Sequence, residues 1–116
     1  MSDESLIAYK ILTETQMAEL LTSDSFSGAP IDIADGYIHL STTQQVDETV
    51  ARHFSGQHDL HIAAVDLTQL GETVRWEPSR GGQLFPHIYG PLPLSAVVAH
   101  GRLERGENGA IHLPGA

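Results

Sequence analysis

Two short segments hold most of the side chains able to do chemistry. One runs from Asp35 to Thr42 (Asp-Gly-Tyr-Ile-His-Leu-Ser-Thr), the other from Phe85 to Gly90 (Phe-Pro-His-Ile-Tyr-Gly). Along an extended chain, side chains alternate between faces. In the first segment Tyr37, His39 and Ser41 therefore share one face, and Ile38 and Leu40 the other. The aliphatic pair belongs in a core and the polar trio at a cleft or in solvent. A helix start just after Ser41 and Thr42 would point free backbone N–H groups at the same region, a natural seat for phosphate or pyrophosphate. The same residues would equally serve as an ordinary helix cap beside a half-exposed histidine.

In the second segment Phe85, His87 and Tyr89 share a face that could stack on a planar base, with two polar tips. The alternative is an aromatic plug closing a sheet, with Pro86, Gly90 and Pro91 shaping a turn. A third candidate is Arg75-Trp76-Glu77. Glu77 could hold a ribose hydroxyl or act as a base, and Arg75 with Arg80 could meet a phosphate. The plainer alternative puts Trp76 in the core and leaves Arg75 and Glu77 as a surface ion pair. His39, His87 and Glu77 would make a two-histidine, one-carboxylate metal set only if the strands bring them together; no metal is expected. His53 falls beside Val50 and Phe54 on the apolar side of a helix and reads as packed. His58, His61, His100 and His112 have no informative spacing. The chain has no His-Glu-x-x-His run, nucleophile elbow or glycine-rich phosphate loop.

The elements that must position these residues follow from pattern. Leu6 to Leu12 is apolar and predicts a strand. Thr13 and Gln16 form a capping box, and Met17, Leu20 and Leu21 predict a short helix over 15–22. Residues 23–34 read as a loop rich in Ser, Gly, Pro and Asp. A strand over 37–41 leads, through a second capping box at Thr42 and Gln45, into a helix over roughly 43–54. Leu60 to Leu67 is nearly continuously apolar, the mark of a central strand. Strands follow over 73–77 and 94–105, the latter with Gly101 as a candidate bulge. Glu107-Asn108-Gly109 turns the chain into a last strand over 110–113. Residues 79–83 read as a loop, and 85–89 as extended or turn-like. The expectation is an α+β fold with two short helices and about six strands in a mostly antiparallel, bent sheet.

The 116 residues suit one domain, with its core about 6–105 and a C-terminal hairpin to 113. Net charge is −9, with six Lys and Arg against 15 Asp and Glu, and Lys10 is the single lysine. Broad DNA binding needs a cationic footprint that this composition lacks. The absence of cysteine excludes disulfides, thiolate metal sites and cysteine nucleophiles, and suits a reducing cytoplasm. The polar, acidic start and the lack of a long apolar run predict neither a signal peptide nor a membrane span. Nothing specifies the oligomeric state.

The two segments, with Tyr-Lys-Ile-Leu at 9–12, Arg-His-Phe-Ser-Gly at 52–56 and Trp-Glu at 76–77, resemble the domain-of-unknown-function family numbered 952 over roughly Leu6 to Val98. That resemblance implies a fold like that of the ADP-ribosyltransferases, with a split, bent sheet whose cleft grips NAD. It implies a strand histidine on one ribose, an aromatic residue on nicotinamide and a glutamate on the other ribose. His39, Tyr89 and Glu77 become the catalytic candidates, with Tyr37, Ser41, Thr42, Arg75, Phe85 and His87 as binding residues for a nucleotide-like small molecule. His-Leu-Ser at 39–41 is also similar to the relatives that remove a 2′-phosphate from RNA with NAD. Two features depart from the pattern: Glu77 precedes Tyr89, whereas the standard glutamate follows the aromatic residue, and the RNA-acting relatives use several arginines where this acidic chain has few. A non-catalytic binding module is the competing class.

Overall fold

The computed structural model describes residues 6–115, with the backbone but not the side chain of Arg80. The acidic start over 1–5 and the suggested Arg80–phosphate contact therefore lie outside the described residues. Eight strands are described: β1 (Ile7–Leu12), β2 (Ser25–Phe26), β3 (Ile38–His39), β4 (His61–Asp66), β5 (Val74–Pro78), β6 (Leu84–Ile88), β7 (Leu92–Pro93) and β8 (Val97–Arg102). The α-helices are α1 (Glu14–Ser23), α2 (Pro30–Asp35) and α3 (Val46–His53). The fold is α+β and its described strand pairs are antiparallel. They form a sheet in the order β1-β4-β8, another in the order β3-β6-β5, and a small β2-β7 ribbon. The two larger sheets meet where Tyr9 and Ser41 exchange backbone hydrogen bonds of 2.7 and 2.9 Å.

β4 is apolar throughout because both of its faces are covered. Ala63 and Val65 join Ala8, Leu12, Leu20 and Phe26 on one side, and Ile62 and Ala64 join Ile11, Val46 and Val50 on the other. Ile38 and Leu40 enter the first cluster, as the strand alternation requires. The Thr13–Gln16 capping box is fully formed at the start of α1.

Several boundaries differ from the sequence reading. Among the described residues there are three α-helices, not two, because α2 occupies part of the expected loop. Its signals are Pro30 at the first turn and the Asp32 carboxylate returning to the Ala29 N–H at 2.7 Å. The strand over 37–41 shortens to two residues plus the bridge at Ser41. α3 begins a turn late: Gln45 Oε1 accepts from the Thr42 N–H, while the Gln45 and Val46 N–H groups both turn to the Thr42 carbonyl. The bulge lies between Ala64 and Val65 of β4, which pair with Ala99 and Val97, so Val98 is the extra residue and Gly101 pairs regularly with Ile62. Leu92–Arg102 divides into β7, a 3-10 turn and β8. The last strand reduces to a single Arg105–Ile111 bridge. Among the described residues no helix is long and apolar enough to cross a membrane.

Candidate functional site

β3 and β6 pair so that Ile38 faces Ile88 and His39 faces His87. Residues directly opposite in an antiparallel pair point to the same side. Burying Ile38 and Ile88 on one side therefore sends both histidines to the other. Their ring centroids lie 5.4 Å apart, edge to face. β5 extends the row, with Arg75 opposite His87.

His39 is held by Asp32, a residue absent from the candidates read in the sequence. Asp32 is 1% exposed and its carboxylate accepts four hydrogen bonds. Oδ1 takes the His39 N–H at 3.1 Å and faces His39 Nδ1 at 2.6 Å. Oδ2 takes the Ala29 N–H at 2.7 Å and the Lys10 ammonium at 2.9 Å. Burial alone would raise the pKa of this acid. The His39 bond and the Lys10 charge outweigh it and hold Asp32 at about 2. Lys10 also donates to the His39 carbonyl at 3.1 Å, and burial pushes its pKa down against the pull of Asp32. At the other ring nitrogen, His39 Nε2 lies 2.9 Å from Asp35 Oδ2. Each nitrogen of the ring thus lies within hydrogen-bond distance of a carboxylate.

His87 is held differently. Its Nδ1 lies 2.7 Å from Glu77 Oε1, and the Tyr89 hydroxyl donates to the same carboxylate at 2.8 Å. These two bonds, His87 first, lower the Glu77 pKa, and the same carboxylate raises that of Tyr89. Tyr37 stacks on His87 at 4.1 Å between centroids, and its phenol is raised by burial, then by Asp35 and Glu77. The Arg75 guanidinium sits 5.1 Å over the Tyr89 ring. With Nδ1 engaged by Glu77, Nε2 is the nitrogen left for a ligand.

A cleft of about 470 Å³ is lined by Lys10, His39, Ser41, His53, Phe85 and His87, among others. The two sequence segments thus share one cleft. Tyr37, Arg75, Glu77 and Tyr89 do not line it; they form a cluster beside His87, and Tyr37 borders a second hollow of about 340 Å³. Thr42 lines neither. The Ser41 hydroxyl is paired with that of Thr49 at 2.8 Å. His53, expected to be packed, is exposed and lines the cleft. Trp76 is not core: it is 42% exposed on β5. Glu77 meets His87 as a hydrogen-bond partner, and no group of three or more His, Asp or Glu side chains is arranged to hold a metal among the described residues.

A family model described as "Protein of unknown function (DUF952)" matches residues 11–100. The chain belongs to the DUF952 family. The X-ray structure of protein CC0527 from Caulobacter crescentus, a structural-genomics target, is 40% identical and superposes with a TM-score of 0.83, covering 91% of this chain and 93% of that one. The solution NMR structure of CC0527 gives a TM-score of 0.77 over 91% and 90% of the two chains. No curated protein matches. The DUF952 match takes in Asp32, Asp35, His39, Glu77, His87 and Tyr89, while Lys10 stands one residue before it. The sequence signal for Asp32 was local: an acid two residues after Pro30, where it can cap the N–H before the proline. The Lys10 contact, 22 residues away, had none.

Proposed function

We propose that this DUF952 chain binds a ribose-bearing, phosphorylated small molecule of the NAD or ADP-ribose class in the cleft bordered by His39 and His87, as an ADP-ribosyltransferase-like protein would. The observation that carries this reading is the cross-strand register of the two histidines, each ring oriented by its own carboxylate at 2.6 and 2.7 Å. Paired imidazoles beside a hydroxyl and an aromatic wall suit the hydroxyls and ring of a nucleoside. The ribose end of such a ligand fits the residues present. At the pyrophosphate end the seat expected just after Ser41 is only partly open, since the amides of Thr42, Gln45 and Val46 are already bonded within the chain. The Glu77–Tyr89 pair supports His87 from beside the cleft, and Tyr89, more than a third exposed, could stack on a base reaching past it. For a transferase, His87 Nε2 is the base within reach, with Glu77 fixing the ring as a carboxylate fixes a catalytic histidine.

A second reading, binding without turnover, is favoured by the saturation of Asp32 and His39. Every strong acceptor position of that carboxylate and both ring nitrogens are occupied, which makes a rigid platform. Calorimetry with ADP-ribose, NAD and ribose 5-phosphate on the wild type, His39→Ala and His87→Ala tests the proposal. Binding by the wild type that both variants lose supports it. No heat from any of the three at millimolar concentration removes it. Consumption of NAD that His87→Ala abolishes would separate the transferase from the platform.

A further inference from the structure

The two carboxylates that flank His39 are not equivalent. Asp32 is buried, carries four hydrogen bonds and neutralises Lys10, so it cannot leave. Asp35 makes one contact with the ring, at 2.9 Å, from a side chain 44% exposed. An ion pair of that exposure contributes little to stability. Asp35 is also the last residue of α2, and the next residue, Gly36, has φ +89 with open space where a side chain would stand. Its carboxylate can swing off the ring without disturbing packed atoms.

Asp32 fixes the ring so that Nε2 faces Asp35, and both His39 and Asp35 line the cleft. A carboxylate therefore already occupies the position from which a cleft ligand would accept a hydrogen bond from His39. We infer that Asp35 is an intramolecular placeholder, and that an oxyanion of the ligand, phosphate or carboxylate, displaces it and binds His39 Nε2. The subsite takes one oxyanion with a single strong donor and needs no helix N-terminus. Lys10 also lines the cleft, but its charge is already matched by Asp32, so the His39 ring is the donor that the ligand meets. This rests on the reading of the cleft as a binding site and specifies how the ligand's anionic group is held. It makes Asp35 a competitor of the ligand, so removing its charge must strengthen binding.

The test is an NMR titration of the intact protein with inorganic phosphate, and separately with acetate, following the His39 imidazole. The wild type and Asp35→Asn are compared. Asp35→Asn is expected to bind the preferred anion about fivefold more tightly, because a like charge leaves the subsite. The His39 Nε2 resonance should move on binding in both proteins. Response to phosphate but not acetate assigns the subsite to a phosphate group, and the reverse assigns it to a carboxylate. Equal or weaker binding by Asp35→Asn, or a His39 resonance that neither anion moves at millimolar concentration, overturns the inference. An ADP-ribose arm separates it from the broader reading. ADP-ribose binding that Asp35→Asn weakens would leave the nucleotide reading standing and sink the placeholder. Tighter phosphate binding with no response to ADP-ribose would do the opposite.

Discussion

The two histidines stand opposite each other in one register, yet their surroundings differ in kind. His39 belongs to a buried chain of charges, Lys10–Asp32–His39, closed at its outer end by Asp35. His87 belongs to an aromatic and phenolic cluster in which one half-exposed carboxylate, Glu77, serves both His87 and Tyr89. The first is built by contacts across 22 and seven residues and ties β1, α2 and β3 together. The second is built within neighbouring strands. His39, 29% exposed, is thus tied to a buried charged hub, whereas His87, 2% exposed, is packed among rings and held by a carboxylate nearer the surface. Mutations at the two carboxylates should therefore differ in their cost to stability.

The largest effect is expected at Asp32. Asp32→Ala leaves Lys10 buried without its counter-charge and the Ala29 and His39 amides without an acceptor. Urea denaturation should show a loss of about 3–5 kcal/mol, whereas Glu77→Ala, which strips one partner from the buried His87 ring, should cost less, about 1–2 kcal/mol. A large fall in the Glu77 variant would erase the contrast.

Acid should act on the same half. The folded pKa of Asp32, about 2, lies below its ordinary value of 3.8. The depressed value means that the unfolded chain binds the proton more readily, so low pH favours unfolding. The contribution is complete above about pH 4 and drains away as pH falls through about 2, amounting to about 2 kcal/mol. Stability measured from pH 5 to pH 2 should fall in that window. Asp32→Asn should flatten that part of the profile.

Smaller changes sharpen the other half. Glu77→Gln removes the negative charge that raises Tyr89, so one phenol should ionise at lower pH in an ultraviolet titration at about 295 nm. The His39 resonances should stay in place, since Asp32 and Asp35 hold that ring. Least of all, Trp76→Ala should change stability by no more than about 1 kcal/mol, because Trp76 is 42% exposed and sits on an edge strand. A loss of several times that would mean the indole packs as the sequence alone suggested.

The His87 half was the more legible in sequence. Alternation put Phe85 and His87 on one face, and the short motif carried its own signal. Glu77 could be recognised as a candidate because strand partners lie a few residues apart once the hairpin is drawn. The His39 half was hidden. Its hub, Asp32, stands in a stretch whose Ser, Gly and Pro content reads as loop, and its one local cue was the proline-started turn of α2. Lys10 looked like one polar residue in an apolar strand. Only the approach of α2 to β1 gives it a partner, and no periodicity encodes a contact of that range. The late start of α3 has a similar cause. Thr42 and Gln45 form half of the expected capping pair, but the Thr42 carbonyl takes two amides and delays the first turn.

The most direct test of the shared cleft is a titration with ADP-ribose read at the histidine imidazoles by ¹⁵N–¹H NMR. Seven histidines give an internal control, because His58, His61, His100 and His112 do not line the cleft while His39, His53 and His87 do. The account predicts saturable shifts at His39 and His87 together, with those four unmoved. Shifts confined to one of the two rings, or spread evenly over all seven, would contradict it.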